Sequence, residues 1–259
     1  MGRALLKHIR IFALIAALAL ANACKEREQL EKQAPALARA DFTVDRIAVA
    51  GVVSVVPALG DPAESREGWS VLIGDHLGRD RFGKLPIVSS SEVRAILGRE
   101  DYGVMLDRYK ADGQCDSAIL AELHTALEGK ARFVVFGGIL EDQIEWSQTE
   151  SEDKKAKTKT KVMRTSRTTW VRLRFYDLTN QQLAWDHRTF GITSTSKEHD
   201  MSDIIKHGSG EGFLGGLATS IVNSALKPEP KYPPTPALES TLAKAFDSVG
   251  TYLKPRKKR

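Results

Sequence analysis

The chain has 259 residues, of which 42% are hydrophobic and 27% charged. That is enough apolar material for one large domain or two small ones, and it excludes a disordered chain, a collagen and a polytopic membrane protein. Two cysteines exclude a disulfide-dense scaffold and a four-cysteine zinc module. A formal charge of +5 points by itself to nucleic acid, but the distribution of that charge points elsewhere.

Residues 1–23 carry the three parts of an export signal. Arg3, Lys7 and Arg10 are the basic start, Ile11 to Ala21 an unbroken apolar run, and Ala21-Asn22-Ala23 a small-residue cleavage site. Eleven apolar residues make about 16 Å of helix, roughly half of a bilayer core, so a cleaved signal is expected rather than an anchor. Cys24 follows directly and resembles the acylated cysteine of a lipobox, although Ala21 stands where that pattern has leucine. Lipid on Cys24 would hold the chain at a membrane and leave Cys115 without an intramolecular partner. Plain cleavage would leave Cys24 free, and a Cys24–Cys115 bridge open. Without residues 1–23 the balance is 35 basic against 33 acidic side chains, or +2. The tail after Leu253 holds five more basic residues, leaving a body of 30 against 33, or −3. Export and this balance argue against nucleic acid as a partner.

In chain order, residues 24–41 read as a charged, alanine-rich tether. Arg46 to Val56 is a nearly continuous apolar run, as in a strand buried on both faces. Residues 57–68 read as a loop, and 66–80 as a helix carrying Trp69, Leu72, Ile73, His76 and Leu77. A short strand at Leu85–Val88 precedes the capping-box spacing Ser89–Glu92, which opens a helix to Leu97 with Gly98 as its stop. Residues 99–115 read as polar, with at most a short turn of helix. Asp116 caps a helix with Ile119, Leu123 and Leu127 on one face, stopped at Gly129. Arg132 to Ile139 is a second buried strand, running on towards Trp146. Residues 147–161 are a charged hairpin tip. Trp170–Asp177 and Gln182–Thr193 complete a three-stranded meander. A glycine-rich stretch then leads to a helix with Phe213, Leu217, Ile221 and Ala225. Residues 228–236 are a proline-rich spacer, and 237–259 an amphipathic helix with a basic tail. The expectation is an α/β (α+β) fold spanning 42–227, with a mixed sheet of about five strands packed against helices. Its order is β-α-β-α-α-β-β-β-α, with a long charged β-hairpin and an extra C-terminal helix.

Catalytic constellations do not emerge from these residues. Gly210 to Gly215 satisfies G-x-G-x-x-G, but the preceding strand ends about fifteen residues earlier and none follows. His76 reads as a packed core histidine. His124 and Glu122, two apart on a helix, do not face the same way. His187, His199 and His207 lack zinc-site spacing. Asp75 and Asp80 diverge on their helix, and Glu141 and Asp142 point to opposite sheet faces. Cys115 has no protease context. No cofactor, metal or catalytic residue is therefore assigned. The basic hairpin residues Lys154, Lys155, Lys157, Lys159 and Lys161, and the tail residues Arg256, Lys257, Lys258 and Arg259, are candidate partner contacts.

Several segments, in one order, resemble a known superfamily. They are Ile47-Ala48-Val49-Ala50; Phe82 to Val88 with Glu92 to Leu97; Ala131 to Gly138; and the Val171–Trp185 hairpin with Asp177 at its turn. Together they resemble the CsgG-like, LpoB-like and TolB-amino-terminal-like bacterial envelope lipoproteins over about 45–195. The resemblance implies a periplasmic domain that docks, activates or secretes rather than catalyses. The 147–161 tip lacks the apolar-out, polar-in alternation of a membrane barrel, which argues against a secretion pore. The expected function is a non-enzymatic lipoprotein anchored to the outer membrane through Cys24. It would be a docking or accessory factor in envelope assembly or secretion, including activation of a cell-wall synthase. Its partners would be an envelope protein, the membrane through its lipid, and an anionic envelope polymer or lipid head groups. Alternatives are a subunit of an oligomeric curli-type export assembly, and an exported enzyme.

Overall fold

A computed structural model describes residues 34–40, 42, 44–77, 86–153, 158–200, 231–250 and 253. The signal segment, Cys24, the glycine-rich stretch and the helix read at 213–225 lie outside the described residues. The described helices are α1 (Pro35–Arg39), α2 (Ala63–Leu77), α3 (Ser90–Leu97), α4 (Arg99–Asp112), α5 (Ser117–Ala126) and α6 (Leu238–Gly250). The strands are β1 (Ile47–Ser54), β2 (Ile87–Val88), β3 (Phe133–Asp153), β4 (Thr158–Asp177) and β5 (Gln182–Asp200). They form one mixed sheet in the order β2-β1-β3-β4-β5. The chain has the expected α+β fold.

β1 is parallel to both β2 and β3, and every residue in it is buried. Such a strand needs apolar side chains on both faces, as the run Ile47-Ala48-Val49-Ala50 provides. Ile47, Val49 and Val52 face a core shared with α2 and α6, where Trp69, Ile73, Leu242 and Phe246 meet Val171, Leu173 and Phe175. Ala48, Ala50 and Val53 face a second core with Met105, Leu106, Tyr109, Ile119, Leu123, Phe136 and Tyr176. The bulge between Val49 and Gly51 explains how Val49 and Val52, three apart, share a face. Gly51 lies beneath α4, where an added Cβ would meet the Leu106 side chain at 2.8 Å.

The expected start of α3 is present in full. Ser89 accepts from the Glu92 amide at 3.2 Å, and Glu92 accepts from the Ser89 amide at 2.8 Å. Asp116 likewise caps α5 through the Ile119 amide at 2.8 Å.

Three expectations change. Residues 99–112, read as mostly irregular, form a helix of 14 residues. Met105, Leu106 and Tyr109 are buried on its inner face, and Gly113 closes it in the left-handed conformation at φ 67°. α2 starts at Ala63, before the expected 66. The long charged hairpin is present, and its strands reach further into 147–161 than expected, with β3 and β4 paired out to Asp153 opposite Thr158.

The sequence leaves the last helix to dock on its own domain or on a partner, and the structure shows the first. α6 docks on its own sheet, with Leu242, Ala245, Phe246 and Val249 fully buried. Within the expected tether, Leu37 of α1 and Ala34 just before it belong to the same core.

Candidate interaction surface

β1 stops pairing with β3 at Ser54 opposite Ile139. Beyond that point β3, β4 and β5 run on together as a three-stranded ribbon. Leu140 to Asp153, at about 3.3 Å per residue, extend it by about 45 Å. A bulge between Ile139 and Glu141 marks the transition.

One face of this ribbon is strapped. Residues 231–237, in neither helix nor strand, cross it. Thr165 Oγ1 donates to the Pro233 carbonyl at 2.7 Å, Thr195 Oγ1 to the Pro234 carbonyl at 2.7 Å, and Arg167 Nη1 to the Pro236 carbonyl at 3.2 Å. Proline offers only a carbonyl to its surroundings, so hydroxyl and guanidinium donors are the groups that can hold it. Arg167 is itself fixed by Asp142, through Nε at 2.8 Å and Nη2 at 2.7 Å, and Thr169 donates to the same carboxylate at 2.8 Å. The Asp142 side chain is 7% exposed. On β5, Lys244 Nζ of α6 donates to the Ile192 carbonyl at 2.8 Å.

The opposite face carries no described helix beyond Arg172. Trp170 packs against Phe190 with ring centroids 4.6 Å apart and the planes tilted by 44°, and the Arg188 guanidinium lies 4.7 Å above the Trp170 ring. Arg188 also donates to Glu141 at 2.6 Å. Phe190 and Ile192 remain 45% and 48% exposed. On the strapped side, Ile144 and Trp146 at the outer edge of β3 are 36% and 59% exposed.

The basic residues expected to make contacts are distributed unevenly. Lys154, Lys155 and Lys157, and the tail residues Arg256, Lys257, Lys258 and Arg259, lie outside the described residues. Lys159 and Lys161 are on β4, in register with Glu152 and Glu150 of β3. Cross-strand neighbours of opposite charge stabilise one another, and the register sets Lys161 beside Glu150 within the sheet. The sequence reading did not single out Trp170, Phe190, Ile192, Ile144 and Trp146 as contacts. Their signal was apolar side chains alternating along strands that outrun the helices.

Nearer the core, Arg172 Nε donates to Asp186 at 2.7 Å and Arg174 Nε at 3.2 Å. Burial works against the Asp186 charge, but the two guanidiniums outweigh it and hold this carboxyl below the usual range. The Cys115 amide donates to Tyr176 Oη at 3.0 Å. Burial pushes the Cys115 thiol up to about 12. His76 is buried, with Nδ1 2.6 Å from Asp247 of α6, so it joins two helices in the core. Glu141 and Asp142 do face opposite ways, each towards its own arginine. Among the described residues, no cluster of three His, Cys, Asp or Glu could hold a metal ion, and no helix is long and apolar enough to cross a membrane.

No protein-family model matches the chain, and no curated protein matches it. Among solved structures, the chain is similar to lipoprotein GNA1162 from Neisseria meningitidis. The identity is 16% and the TM-score 0.27, over 70% of this chain and 97% of that one. It is also similar to the hypothetical protein CT253 from Chlamydia trachomatis, at 17% identity and a TM-score of 0.35, over 81% of this chain and 97% of that one.

Proposed function

We propose that this chain is a non-enzymatic lipoprotein of the bacterial envelope that docks a protein partner through its projecting ribbon. The observation that carries this reading is a sheet that outruns its helices. Past Ile139, no described helix covers the face of β3 to β5 that carries Trp170, Phe190 and Ile192. Exposed aromatic and aliphatic groups beside an arginine are the usual composition of a contact centre. The strap and Lys244 stiffen the ribbon from behind, so its surface is pre-organised for binding. Anchoring at the outer membrane belongs to the same reading and rests on Cys24 after the export signal.

Two measurements test it. Mass spectrometry of the mature N-terminus should find an acylated Cys24, and an unmodified residue there would remove the anchor. A photo-crosslinking residue placed at Ile192 in intact cells should capture one envelope protein. A ladder of copies of this chain would instead favour an oligomeric export assembly. No adduct from any ribbon position would remove the docking role.

A further inference from the structure

We infer that the outer edge of β3 beyond Ile139, unpaired among the described residues, receives an extended peptide whose side chains alternate between apolar and basic. The inference rests on the docking reading and names the chemistry of the partner. From Leu140 to Asp153 no described strand pairs with the outer side of β3. An edge of this length presents a row of backbone donors and acceptors, which an added strand can pair. Many proteins blunt such an edge with lysine or proline, and 140–153 contains neither. Asp142 is tied to Arg167 and Glu141 to Arg188, and Glu150 and Glu152 stand in register with Lys161 and Lys159, so the charge that this edge offers is the exposed Glu145 between Ile144 and Trp146.

The two faces of this edge differ. Ile144 and Trp146 lie two residues apart on the strapped side, both exposed. Glu141, Gln143 and Glu145 lie on the other side, with Glu145 exposed and Glu141 shared with Arg188. A strand added here sets alternate side chains beside Ile144 and Trp146, and the intervening ones beside the carboxylates. Cross-strand neighbours sit about 5 Å apart, close enough for apolar contact on one face and ion pairing on the other. β5, the other edge, is blunted: Lys244 of α6 caps its Ile192 carbonyl, and Lys197 stands on it next to Glu198 and Asp200. The β3 edge has no lysine and carries exposed Glu145 between Ile144 and Trp146, so it is the edge suited to an apolar and basic strand.

The test uses the full chain and three synthetic peptides: valine alternating with lysine, the same composition in two blocks, and valine alternating with glutamate. The alternating lysine peptide should slow amide exchange over 141–148 and leave 190–198 unchanged. It should shift tryptophan emission to the blue in wild type but not in Trp146→Phe. Glu145→Lys should weaken this peptide about tenfold and improve the glutamate peptide. Ile144→Ser should weaken it as well. Equal binding of the block peptide, protection falling on β5, or indifference to Glu145→Lys would overturn the inference. Protection of 141–148 by self-association without peptide would assign the edge to a second copy and overturn it too. Crosslinks from Ile192 to an envelope protein without peptide binding would sink this inference and keep the docking reading. Peptide binding without crosslinks would do the reverse.

Discussion

Gly191 of β5 and Thr241 of α6 touch through their backbones. A Cβ built on Gly191 would lie 1.9 Å from the Thr241 carbonyl oxygen. No side chain fits that gap, so α6 approaches the sheet as closely as it does because position 191 is glycine. Gly191→Ala must push α6 outward and loosen Leu242, Ala245 and Phe246, all fully buried. The expected loss is about 2–3 kcal/mol, in the upper range for overpacking. Urea unfolding should show a lower midpoint, with Tyr232 and the strap becoming susceptible to protease. An unchanged midpoint would mean that α6 is not held at this contact.

Arg167 links three parts of the ribbon: Asp142 on β3, its own β4, and the Pro236 carbonyl of the strap. Its side chain is 12% exposed. Arg167→Ala would leave Asp142 buried and short of its counter-charge, at a cost of about 3–5 kcal/mol. Replacing both by apolar residues, as in Asp142→Leu with Arg167→Met, should recover most of that loss. The strap contact at Pro236 would stay broken, so amide exchange near α6 should remain faster than in wild type. A double variant as unstable as the single one would show that charge burial is not the governing cost.

How much of this was legible in the sequence follows from where the chain is apolar. β1, Phe133–Ile139 and the Val171–Phe175 alternation state their burial directly, and Ser89-x-x-Glu92 states a helix start. α4 was missed because its inner face is narrow. Met105, Leu106 and Tyr109 are spread among Arg99, Glu100, Asp101, Asp107, Arg108 and Lys110, and polarity masked the stripe. The ribbon was cut short for a related reason. Ser, Thr, Glu and Lys at 147–161 look like loop chemistry, while cross-strand pairing of Glu150 with Lys161 is a property of register. The strap was unreadable because its hydrogen bonds join residues 39 to 69 apart in sequence, such as Thr195 with Pro234 and Arg167 with Pro236. The apolar contact residues were each visible as strand positions, but their exposure depends on where the helices end.

Cys115 should be a poor nucleophile. Only a thiolate attacks an alkylating agent, and burial raises this thiol to about 12. Near pH 8 the native chain should therefore alkylate at Cys115 far more slowly than the same chain in denaturant, when Cys24 is replaced by serine. Rapid native labelling would show that the α5 start opens frequently around the Tyr176 contact.

Asp186 should make stability depend on acid. In the folded chain its carboxyl sits below the ordinary range, since Arg172 and Arg174 outweigh the effect of burial. A depressed carboxyl stabilises the fold at every pH above its unfolded value of about 3.9, and this contribution disappears as pH falls through the folded value. Asp186→Asn removes the charge at all pH values and leaves the guanidiniums of Arg172 and Arg174, side by side on β4, without their shared counter-charge on β5. Wild type should thus be the more stable protein at pH 7, and the gap between their unfolding midpoints should close below about pH 4. Denaturation of both proteins at pH 7 and pH 3 measures it. A gap that widened on acidification would reverse the sign of the shift and show that burial, not the arginine pair, controls Asp186.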